Sequence, residues 1–195
     1  SIYRQFSTGD DIRSEVTVAD LNQDGSVELI FVSYDDFIHV WNPITNSELS
    51  GWPVDLGSNP VTAPVLADLN NDGFLNIVTA TRSGNVFVFH NNGTSIKNFP
   101  IYTGLTIESS PSINDIDLDG DFEILLGTSQ GMEVFDIKSP AGDVISWKTF
   151  RGSERRTGVF SLEQLMSTNK NNEPYPTSFS VTKNFPNPFN PVTNL

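Results

Sequence analysis

Cysteine is absent from this 195-residue chain, which excludes disulfides, zinc–thiolate centres and cysteine nucleophiles. Basic residues are scarce: 11 Lys and Arg against 24 Asp and Glu leave a net charge of −13. Such a balance argues against nucleic acid or an anionic membrane as the main partner. Histidine occurs only at His39 and His90. These fall at non-equivalent places in two strands, without convergent partners, so a structural or surface role is expected and no catalytic centre. No apolar run approaches the length of a transmembrane helix. Phosphate-binding glycine motifs and nucleophile elbows are missing, and so is any 3.6-residue apolar period. Hydrophobic residues reach only 37 %, yet 14 Phe, 3 Trp and 4 Tyr supply enough aromatic mass for a folded core.

What the chain does contain is a repeat. Three acidic clusters begin at Asp20, Asp68 and Asp115, 48 and then 47 residues apart. A second marker, a glycine closing an aromatic-containing stretch, recurs at Gly9, Gly57, Gly104 and Gly152 with the same period. Between the markers run short β-rich segments separated by turn residues. In the middle repeat they are 62–67, 76–81, 86–90 and 99–103. Their counterparts are 28–33, 37–41 and 52–56 in the first repeat, and 123–128, 132–136 and 147–151 in the third. Alternation without helical periodicity means an all-β chain. A period of this length with four strands is the size of a β-propeller blade, and a β-sandwich, the alternative, does not repeat its loops.

The expected organisation is therefore a partial β-propeller over residues 1–160. Residues 1–9 would be the last strand of a preceding blade, and 10–57, 58–104 and 105–152 the three blades. Three blades are too few to close a ring, so further blades are expected upstream, and the first and third should expose apolar faces. Residues 147–158 would end the ring. Trp41, Trp52 and Trp147, with Phe89, Phe99 and Phe135, recur in register and read as packing between blades. Glu154, Arg155 and Arg156 form too short a patch for nucleic acid. Asn92-Gly93-Thr94 matches a glycosylation acceptor but is better explained as a hairpin turn.

The acidic clusters share the pattern Asp-x-Asx-x-Asp-Gly-x-x-(Glu/Asn). Oxygen-bearing side chains at positions 1, 3 and 5 can curl about one point, and the glycine at position 6 permits a turn with positive φ. Position 7 offers a backbone carbonyl, and position 9 returns a side-chain oxygen from the next strand. That is a donor set for a hard cation taking six to eight oxygens. The candidate ligands are Asp20, Asn22, Asp24, Ser26 and Glu28; Asp68, Asn70, Asp72, Phe74 and Asn76; and Asp115, Asp117, Asp119, Asp121 and Glu123. An EF-hand is excluded, because position 12 is Phe31, Thr79 or Leu126 rather than an acid. The plain alternative is an acidic turn held by its own Asx hydrogen bonds.

These loops at blade spacing resemble the FG-GAP and VCBS repeats of the integrin-type β-propeller, over about residues 1–158. The resemblance implies calcium bound in each loop between the first two strands of a blade. The middle loop departs from the family pattern, with Asn76 where an acid is usual. Carboxylate count ranks the third loop as the tightest site and the second as the weakest, near the range of about 10⁻⁴–10⁻³ M of extracellular modules.

After residue 160 the composition shifts. Residues 161–177 read as a linker. In 178–195 the prolines at 186, 188 and 191 forbid helix and favour an extended segment. Phe185-Pro-Asn-Pro-Phe-Asn-Pro-Val-Thr193 resembles the start of the C-terminal sorting domain of type IX secretion substrates. This implies passage through that secretion machinery to the outer surface of a Gram-negative bacterium. The expected function is a secreted or cell-surface, non-catalytic binding or scaffold module with a protein or carbohydrate ligand on a propeller face. Two alternatives stay open: an accessory propeller of a secreted hydrolase or lyase, and an adhesin.

Overall fold

Each repeat folds into one antiparallel sheet in a computed structural model of the chain. The structure describes residues 4–58, 60 and 62–142, and contains no helix among them. The first sheet runs β1 (Thr17–Ala19), β2 (Glu28–Val32), β3 (Phe37–Asn42) and β4 (Ser47–Glu48), and β5 (Val54–Asp55) also pairs with β3. The second runs β6 (Val65–Ala67), β7 (Asn76–Ala80), β8 (Asn85–Phe89) and β9 (Ile101–Tyr102). The third runs β10 (Ser112–Asn114), β11 (Asp121–Thr128) and β12 (Gly131–Pro140).

The repeat period is carried into the pleat. Leu29 pairs with Trp41, Ile77 with Phe89 and Ile124 with Phe135, so equivalent residues take the same face in each sheet. The outermost strands are shorter than expected. Residues 52–56 give only Val54–Asp55, and 99–103 only Ile101–Tyr102. Pro53 and Pro100 have no N–H to donate, so the ladder starts after them. The expected strand at 147–151, the linker and the tail lie outside the described residues.

Both faces of the middle sheet are buried, each against a different neighbour. Leu66, Ile77, Phe87 and Phe89 pack with Ile30, Val32, Ile38 and Val40 of the first sheet. Val65, Val78, Val86 and Val88 pack with Ile113, Phe122, Ile124 and Leu126 of the third. The innermost segments are joined at the repeat period: Thr17 Oγ1 donates to Pro64 O at 2.6 Å, and Ser110 Oγ accepts from Ala63 N at 3.0 Å. Sheets stacked face to face, with first strands side by side, are consecutive blades of a β-propeller.

The two end sheets differ. Residues 4–9 form no strand, because no ladder pairs with them. They nevertheless cover the free face of the first sheet: the Phe6 ring lies 5.8 Å from Phe31, 5.6 Å from His39 and 5.5 Å from Trp41. Gly9 N donates to Asp35 Oδ2, and Arg4 Nε to Pro43 O. The expectation of an exposed apolar face on the first blade is thereby corrected: Phe31, His39 and Trp41 are buried. On the third sheet the expectation stands, for Met132 is 67 % exposed and Val134 42 %, where their register mates Val86 and Val88 are fully buried.

Candidate metal centre

All three acidic loops lie between the first and second strands of a sheet, at one common rim. Gln23 Nε2 donates to Gly73 O at 2.6 Å, linking the first loop to the second. Gly142 N donates to Asp68 O, and Ala141 N to Gly120 O, so the end of the third repeat ties the second loop to the third.

One hydrogen-bond scheme recurs. The position-1 Asp accepts the glycine N–H at position 6: Gly25 to Asp20 at 3.0 Å, Gly73 to Asp68 at 3.0 Å and Gly120 to Asp115 at 3.2 Å. The position-5 Asp accepts the next-but-one N–H, from Ser26, Phe74 and Asp121. Gly25, Gly73 and Gly120 sit at φ 87, 86 and 94, the left-handed turn that their sequence position requires.

Position 9 has a role that the sequence does not announce. Its side chain accepts the backbone N–H of position 2 in every loop: Leu21 to Glu28 at 2.9 Å, Leu69 to Asn76 at 2.8 Å and Ile116 to Glu123 at 2.7 Å. All three side chains are buried. One acceptor oxygen closes the loop, which is why Asn serves as well as Glu. Glu28 spends its second oxygen on Asn42 Nδ2 at 3.0 Å. Burial pushes its carboxyl above the usual range against the pull of those bonds, with Asp24 and Asp20 adding to the rise.

The third loop differs electrostatically. In the first two, an amide separates the carboxylates: Asn22 donates to Asp24 at 3.0 Å and Asn70 to Asp72 at 2.8 Å. The Asn22 amide and the Ser26 N–H hold the Asp24 carboxyl low. Position 3 of the third loop is Asp117, which has no proton to give when ionised. Two overlapping groups result, Asp115, Asp117 and Glu123, and Asp119, Asp121 and Glu123, each with ligand oxygens within 4.8 Å of one another. Asp121 was expected to offer its backbone carbonyl, and its side chain joins the group as well. Burial and the adjoining Asp119 push the Asp121 carboxyl up to about 6. Lys138 approaches Asp119 at 3.7 Å and pairs closely with Asp136. Asp115 Oδ1, Asp121 Oδ1 and Glu123 Oε1 are buried without a hydrogen-bond partner, as is Asn70 Oδ1 of the second loop. An all-oxygen, carboxylate-rich set with unpaired oxygens fits a hard cation. The first loop gathers no comparable group of three carboxylates, and Glu28 gives its second oxygen to Asn42 where Glu123 Oε1 has no partner.

His39 is a second polar cluster. Buried beneath Phe6, it makes a 2.7 Å bond from Nδ1 to Glu48 and lies 3.3 Å from Asp35 through Nε2. Burial opposes its charge, but the hydrogen bond and charge of Glu48, with those of Asp35, outweigh it and raise the imidazole above its usual value. The cluster fastens the N-terminal segment, through Asp35 to Gly9 and through the His39 ring to Phe6.

The FG-GAP-like repeat family matches residues 20–79 and 68–126, more than half of the chain. Two crystal structures of BBS1N in complex with ARL6DN are similar. The one soaked with mercury is 16 % identical with a TM-score of 0.48, covering 67 % of this chain and 38 % of that one. The one soaked with lead is 15 % identical with a TM-score of 0.47, covering 68 % and 44 %. The V. cholerae biofilm matrix protein Bap1 is 20 % identical with a TM-score of 0.42, covering 60 % of this chain and 18 % of that one. This chain thus spans less than half the length of each. No curated protein matches it.

Proposed function

The chain belongs to the FG-GAP-like repeat family, and we propose that it is a calcium-binding β-propeller segment acting outside the cell as a non-catalytic binding or scaffold module. The observation that carries the metal is the third loop. Three buried oxygens on Asp115, Asp121 and Glu123 lack partners, and the turn gathers two carboxylate groups that share Glu123, Asp115 with Asp117 and Asp119 with Asp121, with no side-chain amide between them. Asp115, Asp117, Asp119 and Glu123 would hold the ion, with Asp121 beside them. The ion would supply the positive charge that Asn22 and Asn70 supply as amide protons in the other two loops. Its role is structural: it fixes the turn between the first two strands of the third blade.

Secretion rests on the resemblance of residues 185–193 to a type IX sorting signal, and a binding role on membership of the FG-GAP-like repeat family. Calorimetric titration of calcium into the whole chain, with thermal unfolding in calcium and in chelator, tests the metal. The tightest site is expected to disappear in Asp115→Asn/Asp117→Asn. It should weaken in Glu123→Gln, which keeps an oxygen for the Ile116 N–H. Absence of heat, with equal melting in calcium and chelator, would reduce the loops to acidic turns.

A further inference from the structure

The two interfaces between sheets are built in the same register yet close differently at their outer ends. Trp52 and Phe99 hold equivalent places. Trp52 N donates to Leu49 O and Phe99 N to Ile96 O, both at 3.1 Å, while Leu49 and Ile96 N bond Val40 and Val88 O, both at 2.8 Å. At the first interface the Trp52 indole fills the space between sheets. It meets Phe89 edge-on at 5.7 Å and donates Nε1 to Asn91 O at 3.1 Å.

The backbone seals that end. A Cβ on Gly51 would lie 2.0 Å from Asn92 O, and one on Gly93 2.4 Å from Gly51 O, so the two turns meet only because both residues are glycine. At the second interface Asn98, one residue before Phe99, stands in the place of Gly51 and carries the Cβ that the first interface excludes. β12 runs on as strand to Pro140, whereas the second sheet turns at Gly93. Phe99, smaller than Trp52, holds the equivalent place. A cavity of about 430 Å³ remains, lined by Leu69, Val88, Ile96, Phe99, Phe135 and Ile137. It is continuous with the apolar core between the second and third sheets, to which these residues belong. Lys97 and Asp136, both exposed, stand at its rim.

We infer that this cavity is a binding site for a small planar aromatic molecule of indole size, taken up where the neighbouring interface holds the Trp52 side chain. The walls carry aliphatic and aromatic side chains from both sheets, so a flat ring recovers dispersion contacts that water does not supply. Among the described residues this rim is open to a free ligand, whereas Gly51 and Gly93 seal the rim of the first interface.

Indole itself is the probe, titrated into the full chain and followed by two-dimensional NMR. Saturable shifts with a Kd of about 0.1–1 mM are expected, in the range set by so few heavy atoms. Contacts from the indole ring protons to the methyls of Val88, Ile96 and Ile137 should accompany them. Phe99→Trp should weaken binding at least about tenfold and raise the melting temperature by filling the space. The ring-to-methyl contacts, read on the unaltered chain, locate the site independently of that variant's folding. Absence of saturation by several millimolar, contacts elsewhere, or undiminished binding in a folded Phe99→Trp would overturn the inference.

Discussion

Glu28→Ala removes two acceptors from the interior at once. The Leu21 N–H and the Asn42 amide both point at this fully buried carboxylate, at 2.9 and 3.0 Å. A hydrogen bond to a charged group contributes about 1.5–3 kcal/mol, and a buried donor left unpaired costs about 1–3 kcal/mol. Part of that is offset by no longer burying a charge. The expected loss is about 3–5 kcal/mol, a large share of a stability of about 5–15 kcal/mol.

Glu28→Gln separates the two contacts. Its carbonyl oxygen still serves Leu21, but its NH₂ then faces the NH₂ of Asn42. Asn42 cannot turn over in response, because its oxygen already accepts from Ile44 N at 2.9 Å and Thr45 N at 3.1 Å. The single change should cost about 1–3 kcal/mol. Adding Asn42→Asp provides an acceptor for the new donor and should recover most of that loss. Urea unfolding of the two single variants and the double variant gives the coupling energy directly. A Gln variant as unstable as the Ala variant would refute the loop-closing role of position 9, and no rescue by Asn42→Asp would refute the contact with Asn42.

Asp117→Asn gives the third loop the amide that the first two possess. It should stabilise the calcium-free chain while weakening calcium binding, both read by unfolding in chelator and by calorimetry. Leu118 is 86 % exposed at φ 63, where the other loops have Gln23 and Asn71. Leu118→Asn should therefore stabilise the chain by about 1 kcal/mol in urea unfolding. His39 favours its charged form in the folded chain, so its contribution is full below its ordinary value of 6.5 and is lost as pH rises through the raised value. Unfolding midpoints across that window should fall less in His39→Gln than in the parent. Met132→Lys/Val134→Lys should lower any self-association seen by sedimentation, since both side chains stand on the uncovered face of the third sheet.

The period and the sheets were legible because they are local properties. A hairpin fixes its own alternation, and equivalent loops repeat at equivalent strand ends. The acidic positions were legible for the same reason: alternate residues in a tight turn converge whatever lies beyond. What the pattern could not reveal depends on how strands and loops are brought together in the fold. Phe6 reaches Phe31 and Trp41 across more than one hairpin, so the capped face of the first sheet left no periodic trace. The side chain of Asp121 joins the metal group because β11 begins at that residue and turns it toward Asp119. His39 acquires its partners only when β3 pairs with β4 and brings Glu48 alongside.

Position 9 is the case where the surroundings give a residue a task that its chemical type does not announce. An acid following an acidic loop reads as a further ligand. Its three occupants also share a bond to the position-2 N–H, which an amide or a carboxylate oxygen can accept. Loop closure is thus separated from charge, and the charge of each loop is free to vary without loss of the turn. The second loop, with Asn76 and two carboxylates, keeps the same scheme and leaves one loop oxygen, Asn70 Oδ1, buried without a partner. The third, with Asp117 and Glu123, has the same backbone scheme but leaves its carboxylates facing one another. Position 3 therefore sets whether an amide proton stands between the carboxylates of the turn, while position 9 closes the loop in all three repeats.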